Sequence, residues 1–181
     1  TICIDCGLCE KVCPVINQDA PRQPIQCLAA KGKQKEVVRN SSSAGIFYLL
    51  AEKIIQKKGV VFGARFNEVW DVVHSWTDTI EGIKPFMSSK YVQSQIGNSY
   101  SQAEAFLKDG REVLFTGTPC QIAGLRRYLR KEYENLLCVD VICHGSPSPG
   151  VWREYLKYEI SPKGRKNTVS SSIYSSLSER D

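Results

Sequence analysis

The chain has 181 residues, 42% of them hydrophobic and 24% charged, with a formal net charge of +5. That fits one ordinary globular domain with at most a small appendage. The charge is too modest to argue for nucleic-acid binding, and no apolar run approaches the ~18 residues a membrane-spanning helix needs. There are eight cysteines. A disulfide framework would suit a secreted chain, but four of them lie in a motif whose chemistry needs reduced thiols, so a cytoplasmic setting is expected.

The chain opens on "TICIDCGLCEKVCPV", and the spacing from Cys3 to Pro14 is C-x2-C-x2-C-x3-C-P. This is the iron–sulfur run of bacterial ferredoxins, in which three thiolates hold one 4Fe–4S cluster and the fourth serves its neighbour. A zinc site would instead place its ligands as separated pairs. Cys3, Cys6 and Cys9 are therefore candidate ligands of one cluster and Cys13 of another. No downstream cysteine precedes a proline, so the expectation is half of a two-cluster module whose other run lay upstream of Thr1. The rival is a single cluster held by all four thiolates.

Residues 1–19 are assigned to this partial module and 20–40 to a linker and lead-in, with strand-like pieces around Cys27 and Val37. A helix is expected after Ser41, Ser42 and Ser43, with Ile46, Phe47, Leu49, Leu50 and Ile54 at helical spacing and a stop at Lys57, Lys58 and Gly59. "VVFGARF" reads as a strand. "VWDVVHSWT" reads as another, with Trp70, Val72, His74 and Trp76 on one face. A loop carrying Lys90 and Tyr91 leads to a helix over 100–109. Strand "REVLFTG", helix "TPCQIAGLRRYLRK", strand "NLLCVDVICHG" and helix "SPGVWREYLKYEI" follow. This alternation predicts an α/β fold with a mixed, largely parallel sheet and flanking helices over 41–160. Residues 161–181, rich in serine, are read as a truncated or disordered tail.

Within "FTGTPCQIAGL", Thr118 is placed as the N-cap and Pro119 at the first helical position, so Cys120 falls in a first turn that favours a thiolate. The plainer alternative is a small residue under a tight turn. Cys143 follows the next strand. A right-handed crossover would make the two strands parallel neighbours, with both cysteines at the carboxyl edge where open α/β sheets bind ligands. Cys138 is expected in the core, and Cys27 has no assigned role. His144, beside Cys143, is the candidate for a proton or hydrogen-bond role, whereas His74 is expected to pack or face solvent. Ser41, Ser42, Ser43 and Gly45 form a possible anion site at a helix start. Lys90 and Tyr91 could touch a phosphate or a ring, although such loops are usually solvated. The basic run "LRRYLRK" is ordinarily a solvated face and could also attract an anion.

"SSSAGIF", "GVVFGARF", "SSKYVQS", "VLFTGTPCQIAGL" and "VICHGSPSPGVW", in this order behind a ferredoxin run, resemble the coenzyme F420 hydrogenase/dehydrogenase beta-subunit family. The resemblance runs from Cys3 to about Tyr158. It implies an iron–sulfur flavoprotein that binds FAD, passes electrons between flavin and 4Fe–4S clusters, and in some members exchanges hydride with coenzyme F420. It further implies that Cys120 and Cys143 help to hold another cluster near the flavin, and that the serine-rich helix start and Thr118 lie in the flavin neighbourhood. The functional expectation is an oxidoreductase working with a redox partner protein or subunit. The alternative is a non-catalytic electron-transfer or docking subunit that bears clusters only.

Overall fold

The computed structural model describes residues 3–13, 16–17 and 23–160. The expected tail (161–181), residues 18–22 where the partial module meets the linker, and Pro14 lie outside the described residues. The described residues form two compact units: those up to 90 together with 94–145, and 91–93 together with 146–160.

The first unit is built on a four-stranded sheet. β1 (Val60–Phe66), β2 (Val72–Thr77), β3 (Val113–Gly117) and β4 (Leu136–Asp140) lie in the order β2-β1-β3-β4. β1 pairs antiparallel with β2, and parallel pairing joins β1 to β3 and β3 to β4. This is the mixed, largely parallel α/β sheet expected from the alternation. Asn67 makes the β1–β2 turn: its Oδ1 accepts the amides of Val69 and Asp71 at 3.1 and 2.9 Å. Trp70 adopts a φ of 63° within that turn, so the strand starts at Val72 rather than at Val69.

Alternation along the strands separates two cores. Val60, Phe62, Val113 and Phe115 pack on one face against α4 (Ser99–Lys108) and α5 (Pro119–Leu129), through Ala103, Leu107, Ile122, Leu125 and Leu129. Val61 and Leu114 pack on the other against Ala51 and Ile54 of α3 (Ile46–Gln56) and against Ile83 and Met87. Helices thus cover both faces, as parallel strands require. Phe62 stacks on Phe115 with ring centroids 5.2 Å apart.

Two local expectations change. Val37 lies in a short helix, α2 (Lys35–Arg39), not in a strand. The β-branched pair Val37–Val38 favours extension locally, but Val37 packs on the second core, and tertiary contact overrides so weak a preference. The three serines do not cap α3. Its N-cap is Gly45, preceded by a 3-10 turn over Ser43–Gly45. The remaining helices are α1 (Leu8–Val12) and, in the second unit, α6 (Pro149–Ile160). Among the described residues no helix is long and apolar enough to cross a membrane.

Candidate functional site at the carboxyl edge of the sheet

β3 ends at Gly117 and α5 begins at Pro119, with Thr118 as N-cap. The Gln121 side-chain oxygen accepts the Thr118 amide at 3.0 Å, the reach-back half of a capping box. A Cβ at Gly117 would lie 3.0 Å from that same oxygen, so a larger residue there would crowd the Gln121 side chain in the cap. Cys120 is exposed in the first turn, its Sγ 3.1 Å from Thr118 Oγ1. On the adjacent parallel strand, β4 ends at Asp140. The Val141 amide still bonds Gly117 O at 2.9 Å, and Cys143 lies exposed two residues further on. The Gly145 amide donates to Cys143 Sγ at 3.4 Å. Both cysteines therefore follow the carboxyl ends of neighbouring parallel strands, although Cys143 sits beyond the strand, on a loop. His144 is exposed beside it.

Beneath this edge runs a buried polar network that the sequence analysis did not identify. His74, 7% exposed, stacks on Phe115 with centroids 5.0 Å apart. Its Nε2 is 2.8 Å from Thr116 O, and a carbonyl only accepts, so Nε2 carries the proton. Nδ1 then accepts from the Ser94 hydroxyl at 3.1 Å, and Ser94 Oγ accepts from Gln121 Nε2 at 2.8 Å. The His74 main chain is held as well, its amide by Gln95 O and its carbonyl by the Ser99 hydroxyl. Burial pushes the imidazole down to about 4, so it is neutral at pH 7. Tyr100 donates to Gln121 O at 2.8 Å; its phenol is pushed up to about 12, chiefly by burial and secondarily by Cys120. Gln121 at the third helical position was a readable capping signal. Ser94 lies twenty residues from His74, and no local pattern links them.

The serine turn and the lysine loop, separate in sequence, meet on the α3 side. The Ser42 amide donates to Met87 O at 3.0 Å, and its Oγ accepts the Ser89 amide at 2.9 Å. Ser43, Ala44 and Gly45 are all left-handed, with φ of 53, 56 and 79°. Such a conformation costs non-glycine residues about 1 kcal/mol or more each. The Gly45 amide donates back to Ser42 O, so it is not free for an anion. Lys90 is half-buried rather than solvated: its ammonium donates to Ser88 O at 2.8 Å and to Pro85 O, and burial pushes it down to about 8. Tyr91, in the second unit, is 73% exposed. Ser41 Oγ is buried and has no hydrogen-bond partner among the described residues. Ser42 keeps its hydroxyl proton and Lys90 one N–H. The turn therefore suits a single anionic oxygen better than a whole phosphate.

In the N-terminal run Cys3, Cys6 and Cys9 are exposed and Cys13 half-buried, all as free thiols. Left-handed Asp5 and Gly7 turn the chain between the cysteines, and the Asp5 amide donates to Cys3 Sγ at 3.4 Å. The all-thiol donor set and the short loops suit a cluster. Among the described residues, no three Cys, His, Asp or Glu side chains are gathered closely enough to hold a metal ion as they stand. Of the other cysteines, Cys138 in β4 is half-buried against the core. Burial raises its pKa, and a hydrogen bond from Arg126 partly opposes the rise. Cys27 is exposed, outside any helix or strand.

These features define an α/β protein with two cysteines on one sheet edge and four in an N-terminal run. Residues 110–167, which carry both edge cysteines, match the family model for the C terminus of the coenzyme F420 hydrogenase/dehydrogenase beta subunit. The fold is similar to that of a chain in the F420-reducing [NiFe] hydrogenase complex from Methanosarcina barkeri, with a TM-score of 0.56 and 19% sequence identity. The likeness covers 70% of this chain and 47% of the other, so this chain corresponds to about half of its neighbour's length. A search of curated protein sequences found no match.

Proposed function

We propose that this chain is part of an iron–sulfur flavoprotein oxidoreductase. It would pass electrons between 4Fe–4S clusters and FAD, with hydride exchange to coenzyme F420 or another acceptor. The observation that carries this reading is the placement of Cys120 and Cys143 after neighbouring parallel strands, within the stretch that matches the beta-subunit model. The N-terminal run and the similar fold of a hydrogenase-complex chain support it.

A bound flavin would supply the hydride chemistry, coupling a two-electron step to single-electron carriers. The chain's own residues would hold and orient. Cys3, Cys6 and Cys9 are the proposed thiolate ligands of one cluster, and Cys13 of a second or of the same one. Cys120 and Cys143 would contribute to a further cluster. Ser41, Ser42 and Lys90 would meet an anionic part of the flavin, Thr118 would hold the Cys120 turn, and His144 would offer an exposed proton-transfer group. The second reading is an electron-transfer subunit without flavin. It is favoured by the bonding of Gly45 and Lys90 to their own chain.

Iron, sulfide and flavin analysis of the anaerobically purified intact protein tests the choice. Flavin together with more iron than two ferredoxin clusters hold is the expected result. Iron for two clusters without flavin would leave the electron carrier, and the catalytic assignment would fall.

A further inference from the structure

α1 and the end of α5 face each other across an open groove of about 490 Å³. Leu8, Lys11 and Val12 line it from one face of α1, and Arg126, Arg127 and Arg130 from the last turn and end of α5. Four of the six are cations and none is an acid. Arg127 donates to Asn17 O and Arg126 bonds Cys138, which steadies the floor of the groove. Lys11 and Arg130 are exposed, and neither makes an ion pair among the described residues. Arginines in a last helical turn often only complement the helix dipole. That accounts for Arg126 and Arg127. It does not account for Lys11, which comes from another element, nor for the lack of a carboxylate among the described lining residues.

We propose that this groove is the docking surface for the acidic face of a protein electron carrier. The proposal rests on the redox reading above and gives it a place and a partner chemistry. Three observations favour a protein over a small anion. The cations come from two separate elements, Lys11 from α1 and three arginines from the end of α5, the groove is open to solvent, and Leu8 and Val12 provide the apolar patch that a polar-rimmed interface covers. The position is apt, because α1 carries Cys9 and ends at Cys13, so a carrier seated here adjoins the proposed cluster ligands. Electron-transfer encounters bury small interfaces and rely on charge complementarity for fast, reversible association.

The test uses the intact holoprotein and an acidic two-cluster ferredoxin as probe, with binding followed by calorimetry. Raising NaCl from about 20 to about 200 mM should weaken binding about tenfold or more, because screening acts on exposed charges. The Lys11→Glu/Arg130→Glu double variant should weaken it at least about tenfold, with an unchanged circular dichroism spectrum and unchanged reduction by dithionite. The Lys53→Glu/Lys84→Glu variant makes the same change in net charge at exposed sites elsewhere and should alter binding less than about twofold. Equal weakening by both variants, or binding indifferent to salt, would overturn the proposal. So would tight one-to-one competition by pyrophosphate, which would mark a small-anion site. Groove-dependent binding in a protein that passes no electrons would sink the redox reading and keep the surface. Normal iron and flavin with binding unmoved by the first variant would do the reverse.

Discussion

The two cysteine-bearing regions of this molecule are ordered by different means. At the sheet edge, Cys120 stands on a turn that the polypeptide builds for itself, with Gln121 closing the cap, Ser94 and His74 bonded beneath it, and Phe115 packed below them. In the N-terminal run no residue of α1 is buried, three of the four thiols are exposed, and among the described residues Arg127 ties the run to α5 by donating to Asn17 O. A region that buries apolar groups and pairs its polar ones is held by its own packing. A region that buries little and carries several thiols would, on the proposed function, take its order from a bound cluster.

That contrast can be broken from the sheet side first. Phe115→Ala should cost about 3–5 kcal/mol, since it empties the position on which Phe62 and His74 both stack. Urea denaturation followed by far-ultraviolet circular dichroism reads it. A loss below about 1 kcal/mol would mean that the aromatic stack is not what supports the edge.

Acid should come next. His74 stays neutral in the fold down to about 4, whereas the unfolded chain takes up a proton near the ordinary value of 6.5. The folded pKa is the lower one, so stability is full above about pH 6.5 and falls as pH drops toward 4. The loss approaches about 3 kcal/mol for this one group. Urea midpoints at pH 7 and pH 4.5 should differ clearly in the parent and much less in His74→Gln. An equal difference in both proteins would remove His74 from the account.

Gln121→Ala leaves the Thr118 amide and the Ser94 hydroxyl each short of a partner and should cost about 1–3 kcal/mol. It should also raise the rate at which Cys120 is alkylated in the apoprotein, because the turn that presents the thiol is loosened. Unchanged alkylation would separate the network from the cysteine.

The smallest effects on the sheet should come from charges and from the N-terminal thiols. Lys57→Ala removes a 2.9 Å ion pair with Glu112 that is largely solvent-exposed, and should change stability by about 0–1 kcal/mol. Cys6→Ser should leave the sheet transition within about 0.5 kcal/mol of the parent, as surface changes usually do, while iron content falls. Comparing it with Cys13→Ser sharpens the ligand assignment: residual cluster iron after loss of Cys13 fits a two-cluster module, and complete loss fits a single cluster held by all four thiols. A sheet that melted with the iron would show that the two regions are one cooperative unit after all.

Reading the sequence placed β1, α4, α5 and α6 to within a residue or two, because each carries its own periodicity and its own stop or cap. Thr118 and Pro119 announce α5, and Lys57, Lys58 and Gly59 end α3. Position in three dimensions was harder to read. The serines looked like a helix cap, yet Ser42 spends its amide and hydroxyl on Met87 and Ser89, more than forty residues on in the chain. Lys90 looked solvated, yet it closes on the carbonyls of Pro85 and Ser88. His74 looked like packing, and it is, but its Nε2 also ties β2 to Thr116 O of β3, and its Nδ1 ties β2 to the cap of α5 through Ser94 and Gln121.

The sequence by itself determined the local elements, the α/β alternation and the cysteine spacing, because these depend on neighbours a few residues apart. The shared edge of Cys120 and Cys143 followed from the crossover rule, but only the tertiary structure decided that the serine turn meets the Lys90 loop, that His74 reaches the α5 cap through Ser94, and that Lys11 and Arg130 line one groove. Those pairings come from strand order and helix docking, where burial of two apolar faces outweighs any local preference and brings distant polar groups into contact.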